Sequence, residues 1–210
     1  MTEQKNIPEA TVRRFSLYLR ELEKIKDNGD ISIKSKDLGQ RLGLSDVLVR
    51  KDFGFLGIFG RSGVGYEISA LLKELQLRLH KGKKIATIVI GAGKIGQAIC
   101  SYSQFIDRGF QIVDVFDKEK KTIGSVVASH KVKDIKNIKD VCQKKKVQLA
   151  VLAVPPESAR KVALLLVQSG VLGILNFAPT HLDLPSEVAV VNVDFSLALD
   201  ELSFAVFQER

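Results

Sequence analysis

A strand that runs straight into a glycine turn and out into a helix leaves a chain few folds to choose from. Residues 84–100 have that form. Lys84-Ile85-Ala86-Thr87-Ile88-Val89-Ile90 is a β-branched apolar run, Gly91-Ala92-Gly93-Lys94-Ile95-Gly96 follows at once, and Gln97-Ala98-Ile99-Cys100 continues in a helix-compatible pattern. Each glycine has its own task in such a turn. Gly91 lets the chain fold back sharply off the strand, Gly93 carries no side chain to hold a pyrophosphate away, and Gly96 lets the helix pack closely on the strand. Between and after them, Ala92, Lys94 and Ile95 place backbone N–H groups and the positive helix end towards an anion. A second strand, Ile112-Val113-Asp114-Val115-Phe116, ends on Asp117, 21 residues past Gly96. A carboxylate there accepts from both ribose hydroxyls of an adenosine and repels a 2′-phosphate, which favours NAD+ and NADH. Lys118, Lys120 and Lys121 lean the other way. The competing reading is a structural glycine turn with a solvated aspartate.

The chain beyond alternates strand with helix. The sequence predicts a short basic helix closing at Asp140 to Lys146, then a continuous apolar strand, Val147 to Val154, stopped by Pro155-Pro156. Ser158 to Val167 reads as a helix ended by Ser169-Gly170, and Gly173 to Phe177 and Val188 to Val193 read as strands. Runs buried on both faces belong to a parallel sheet covered by helices, and ligands bind such sheets outside the carboxyl ends of the strands. Those ends carry Gly91 to Gly96, Asp117, Val154-Pro155 and Asn176-Phe177.

The first 80 residues follow a different rhythm. Val12, Phe15, Leu19, Leu22 and Ile25 form one helical stripe after Ile7-Pro8-Glu9, and Asn28-Gly29-Asp30 ends it. Pro8 fits a first helical turn, where its missing N–H costs nothing. After the extended Ile31-Ser32-Ile33, Ser35 is the expected cap of a second helix. Ser45 is the expected cap of a third, from Asp46 to about Phe55. Two short helices around the Gly43-Leu44 turn, the second with Arg50-Lys51, form a helix-turn-helix pattern. Gly60-Arg61-Ser62-Gly63-Val64-Gly65-Tyr66 reads as a wing with Arg61 at its tip, suited to a minor groove while the helix occupies the major groove. Ile68 to Leu79 is a fourth helix. A small helical packing module is the alternative for this region.

Charge supports the nucleic-acid reading. Residues 1–85 hold 17 Lys and Arg against 11 Asp and Glu, whereas the remaining 125 hold 15 against 13. A basic small domain joined to a nearly neutral one suits a polyanion. Two cysteines make no disulfide framework, and three scattered histidines have no metal-ligand spacing. With no apolar leader and no run of membrane length, the expected location is the cytoplasm, with no membrane contact. The terminal stretch Phe195 to Phe207 carries Leu197, Leu199, Leu202, Phe204, Ala205 and Phe207. So apolar a helix suits a twin in a homodimer.

Hydride-transfer enzymes place a proton donor or acceptor beside the reacting carbon. Around the expected nicotinamide end stand proline, valine, alanine and phenylalanine; Tyr102 and Asp194 are the candidates, and neither has a cation partner by local spacing. No catalytic residues are assigned, and a non-enzymatic role is expected.

Ile7-Pro8-Glu9-Ala10-Thr11, Tyr18-Leu19-Arg20, Val49-Arg50-Lys51-Asp52, Phe59-Gly60 with Gly63-Val64-Gly65-Tyr66, Gly91 to Gly96, Gly173 to Pro179 and Val193-Asp194-Phe195 together resemble the Rex family of redox-sensing transcriptional repressors, over nearly the whole chain. The resemblance implies an α/β protein: an N-terminal winged-helix domain (1–80), a C-terminal Rossmann domain with a doubly wound parallel sheet (81–194), and a dimerisation helix (195–210) exchanged between subunits. It implies a homodimer on a palindromic double-stranded operator, released when NADH replaces NAD+. It places Tyr102, Asp194 and Phe195 near the nicotinamide and lets Arg20 exchange an ion pair with Asp194 of the partner. The expected DNA-facing residues are Arg14, Ser45, Asp46, Leu48, Arg50, Lys51, Arg61, Ser62, Gly63 and Tyr66.

The chain departs from that family in the reading head. The family usually has Ser-Tyr-Phe-Gly where Gly54-Phe55-Leu56-Gly57 stands, a polar residue where Leu48 stands, and a basic one where Ser62 stands. Each lost contact weakens a base-specific site by about 1–3 kcal/mol. A paralogue with altered operator specificity, a small NAD-dependent oxidoreductase and a coenzyme A-binding Rossmann domain remain as alternatives.

Overall fold

In a computed structural model of the protein, residues 7–80 and 82–208 are described. The chain divides into two compact units between Lys83 and Lys84.

In the first unit, α1 (Glu9–Asp27) buries Phe15, Tyr18, Leu19, Leu22 and Ile25, with Pro8 at the N-cap rather than inside the first turn. β1 (Ser32–Ile33) leads into α2 (Ser35–Leu42), and Gly43 ends that helix in the left-handed conformation at φ 67°. Lys34, not Ser35, holds the N-cap of α2; Ser35 is its first residue and its hydroxyl caps nothing. In α3 (Asp46–Phe55) the Ser45 hydroxyl accepts from the Leu48 N–H, the capping bond expected from the sequence. β2 (Tyr66–Glu67) pairs antiparallel with β1, and α4 (Ile68–Arg78) closes the unit. Phe53 is the hub of its core, with Tyr18 and Tyr66 edge-on at centroid distances of 5.2 and 5.0 Å.

The second unit is a six-stranded parallel sheet. Its strands are β3 (Ile85–Ile90), β4 (Phe110–Asp117), β7 (Lys133–Asp134), β8 (Leu149–Leu152), β9 (Gly173–Asn176) and β10 (Ala189–Asn192). A separate hairpin, β5 (Val126–Val127) with β6 (His130–Lys131), lies between β4 and β7 in the chain. The strand order is β10-β9-β8-β3-β4-β7. The chain starts at the centre, builds outward to β7, then returns beside β3 as β8 and builds the other way. That reversal opens a crevice at the carboxyl ends of β3 and β8. The helices are α5 (Lys94–Cys100), α6 (Gln104–Asp107), α7 (Ile138–Lys145), α8 (Pro156–Gln168) and α9 (Phe195–Phe207).

One sheet face packs Ile88, Ile90, Phe116 and Leu152 against α7 and α8, through Ile138, Cys142, Ala159, Ala163 and Leu166. The other packs Val89, Val115 and Val151 against Ile99 of α5 and Val127 of the hairpin. Towards β9 and β10 that second face is left open: an apolar recess of about 310 Å³ lies against Leu149, Val151, Leu175 and Val191. Several elements depart from the sequence-based bounds. β4 begins two residues before Ile112, β8 ends at Leu152 rather than Val154, and α8 begins at Pro156, where proline's fixed φ suits the first turn. Among the described residues, no helix is long and apolar enough to cross a membrane.

Candidate functional site

The crevice beside β3 has a volume of about 610 Å³, within the range of small-molecule sites. It brings together Gly91, Gly93, Lys94, Ile95, Asp117, Val154, Pro155 and Phe177 from the expected set, with Lys118, Ser158 and Pro179 beside them. The three glycines differ in kind. A Cβ on Gly91, whose φ is 98°, would lie 2.2 Å from the Ala153 carbonyl oxygen, and one on Gly96 would lie 1.8 Å from that of Gly91. Both are demanded by the fold. Gly93 has an ordinary φ of −72°, and a Cβ there would meet nothing within 4 Å. No packing in the protein excludes a side chain at Gly93, so the open space beside it is available to something that enters the crevice. Gly93 also forms the N-cap of α5 with no side-chain cap, so the N–H groups of the first turn are left for an outside acceptor.

Asp117 reaches across the mouth. Its Oδ2 accepts from the Ala92 N–H at 2.8 Å and its Oδ1 from the Glu119 N–H at 2.9 Å, so the carboxylate braces the glycine turn while facing the crevice. Gln97 Nε2 donates to the Ala92 carbonyl at 2.8 Å and holds the turn from the other side. Lys118 does not lie over Asp117: its Nζ donates to Ser158 Oγ at 3.0 Å.

Other expected cofactor residues stand elsewhere. Asn176 is fully buried behind the wall, its Nδ2 donating to the carbonyls of Ala178 and Thr180 and to Asn192 Oδ1, its Oδ1 accepting from the Ala178 N–H. It braces the loop that carries Phe177. Tyr102 lies in a second cleft with Cys100, Phe105 and His130, and its hydroxyl donates to Gln104 Oε1 at 2.8 Å. The fold thus does not bring Tyr102 into the glycine crevice. Asp194 caps α9: its Oδ1 accepts from the Ser196 hydroxyl at 2.6 Å and the Ser196 N–H at 2.9 Å, which holds the carboxyl below its usual range. Phe195 follows it, with its ring centroid 6.1 Å from that of Phe177. Burial pushes the thiol of Cys142 up to about 11 and raises that of Cys100, so neither is a ready thiolate.

In the first unit the expected DNA-facing residues divide. Leu48 is half-exposed, Lys51 exposed, and Arg50 exposed with Nη2 3.0 Å from Asp46 Oδ2 one turn away. Arg61 is exposed but does not stand at the tip of the wing. It pairs through its backbone with Gly65, and the turn between them carries Ser62 and Gly63, the latter at φ 79°. Two residues are corrected. Tyr66 is buried against Phe53 and is a core residue. Arg14 is spent inside the fold, its Nε and Nη2 donating to Asp52 Oδ2 and Oδ1 at 2.6 and 2.8 Å. Thr11 and Tyr18 complete that cluster with hydroxyl donations to Asp52 at 3.2 and 2.8 Å. Asp52 is fully buried; burial alone would raise its carboxyl, yet these hydrogen bonds and the guanidinium charge bring it below its usual range. The sequence offered a signal for this cluster, because Asp52 falls on the buried stripe of Val49 and Phe53, where a carboxylate needs a cation.

Comparison with known proteins decides the family. Residues 82–180 match a family model described as "CoA binding domain", and residues 6–54 match one described as "Putative DNA-binding protein N-terminus". The redox-sensing transcriptional repressor Rex of Carboxydothermus hydrogenoformans is 40% identical over 95% of this chain and 96% of its own length. This chain belongs to the Rex family. The Rex repressor of Pelotomaculum thermopropionicum is 38% identical over 97% of this chain and 96% of its own. The crystal structure of RSP in complex with beta-NAD+ and operator DNA matches with a TM-score of 0.90 at 32% identity, over 98% of this chain and 94% of the other. The RSP complex with beta-NADH matches at 0.88 and 30%, over 98% and 96%. Rex relatives are named as repressors, not enzymes.

Proposed function

We propose that the chain is a redox-sensing transcriptional repressor that holds operator DNA through α3 and its wing, takes NAD+ or NADH in the glycine crevice, and leaves the DNA when NADH replaces NAD+. Gly93 carries the nucleotide half of this reading. It is a glycine with open space beside it, between the uncapped first turn of α5 and a carboxylate at the end of the next strand. The pyrophosphate would lie on Gly91 to Gly96, and Asp117 would accept from the free ribose hydroxyls. Coenzyme A carries a phosphate on that ribose, which Asp117 repels, so the crevice suits NAD(H) better than the ligand for which the matched domain model is named. The bound nicotinamide supplies the signal: a planar cation when oxidised, a neutral puckered ring when reduced.

The chain's own part is to distinguish the two. Phe177, Val154 and Pro155 give the crevice apolar walls that favour the neutral ring, and Phe195, against Phe177, ties that wall to the start of α9. The seven large apolar side chains of α9 are all more than half exposed, and the recess beside β9 and β10 is apolar. Two such surfaces on one chain favour a homodimer in which α9 packs on the twin, and a two-fold dimer reads a palindromic operator. Arg20, exposed on α1, and Asp194, poised at the start of α9, are the candidates for an ion pair exchanged between subunits.

Isothermal titration with NADH, NAD+ and coenzyme A tests the crevice. The expected order is NADH tightest and coenzyme A weakest; coenzyme A binding tighter than both would overturn the nucleotide assignment.

A further inference from the structure

The exposed stripe of α3 is Val47, Arg50 and Lys51, at spacings of three and four, with Leu48 half-exposed at its side and Gly54 half-buried further along. Its hydrogen-bonding groups near the helix start already have partners: the Ser45 hydroxyl caps Leu48, and Asp46 is paired with Arg50. What this helix start presents freely is apolar. Val47 is 62% exposed on a charged domain, and Leu48 stands half-exposed beside it.

Gly54 adds an independent observation. It lies inside α3 with ordinary helical backbone, and a Cβ there would meet nothing within 4 Å. Glycine inside a helix is disfavoured relative to alanine, so nothing in the fold explains its presence. Half-buried two turns beyond Val47, it leaves open space on that side of the helix into which another backbone could come close.

We propose that Val47 and Leu48 read the C5 methyl groups of thymines in the major groove, with Gly54 leaving room for the approaching phosphate backbone. The inference rests on the DNA-reading role proposed above. Thymine alone offers a methyl in that groove, and apolar side chains are what recognise it. Arg50, held 3.0 Å from Asp46 through Nη2, would contact phosphate rather than guanine. The chain would then prefer thymine at the matching positions.

Uracil is thymine without that methyl, which makes the test direct. Duplexes bound by the full-length protein with NAD+ are selected from random sequence, and each thymine of the recovered site is replaced by uracil in turn. The expected result is a loss of about fourfold at one or two thymines per half-site, the factor for one methyl removed from contact. That loss should fall below twofold in the Val47→Ala, Leu48→Ala double variant. Gly54→Ala should raise the melting temperature while weakening binding. Uracil replacements that all leave affinity within twofold, a penalty that persists in the double variant, or a guanine preference abolished by Arg50→Ala would overturn the proposal. Recovery of no duplex at all would instead remove the DNA-reading role on which it rests.

Discussion

Asp52 and Arg14, 38 residues apart, share two hydrogen bonds of 2.6 and 2.8 Å that lock α3 to α1. The Asp52 side chain is 1% exposed and that of Arg14 19%, so the pair is largely shielded from water. It ties α3 to α1 across the core of the first unit. The Arg14 guanidinium is directed onto Asp52.

Arg14→Ala leaves a buried carboxylate without its cation, and the expected loss is about 3 kcal/mol, read from urea unfolding. Operator binding at low temperature should weaken without a change in salt slope, because no phosphate contact disappears. A slope reduced by about 0.9 would return Arg14 to the DNA interface.

Acid should test the same cluster. The Asp52 carboxyl titrates below its unfolded value of about 3.9. Its stabilisation is therefore fully present above that pH and lost as pH falls through the lower folded value. Unfolding free energy should be flat for this group above about pH 5 and fall below about pH 4, and Asp52→Asn should flatten the acid limb.

The glycines of the crevice separate fold from ligand. Gly96→Ala forces a Cβ onto the Gly91 carbonyl and should abolish or severely reduce folding, whereas Gly93→Ala should keep the melting temperature. NADH affinity in Gly93→Ala should drop by roughly tenfold or more, about 1.4 kcal/mol. Unchanged affinity would place the pyrophosphate elsewhere.

Association is tested at α9. Leu199 and Phe204 are 65% exposed in the single chain. Leu199→Asp with Phe204→Asp should convert a dimer to monomers in sedimentation, leaving the second unit folded. A dimer that survives both changes would put the contact on another surface.

Long periodic elements were legible from sequence. α1, α3, α4, β3 and α9 each announce themselves by stripe, cap or apolar run, and the glycine turn marked the crevice. Short or long-range features were not. β7 has two residues, Lys133 and Asp134, and becomes a strand only by pairing with Phe116 and Asp117. The sequence cannot show that Arg14 meets Asp52, that Tyr66 turns inward onto Phe53, or that Asn176 braces a loop. In each case the deciding partner is set by tertiary packing, and local spacing is silent about it. Tyr102 follows the same rule: seven residues of helix carry it from the glycine turn into a different cleft.

In the proposed switch a crevice reports nicotinamide state to a DNA-reading head. Switching from mostly bound to mostly free requires about 5.5 kcal/mol of differential cofactor binding, shared between two subunits if the protein is a dimer. Operator affinity measured by fluorescence anisotropy, titrated with NADH against a fixed background of NAD+, tests this directly. Tight binding with NAD+ and release as NADH rises are expected; superimposable curves for the two cofactors would contradict the switch.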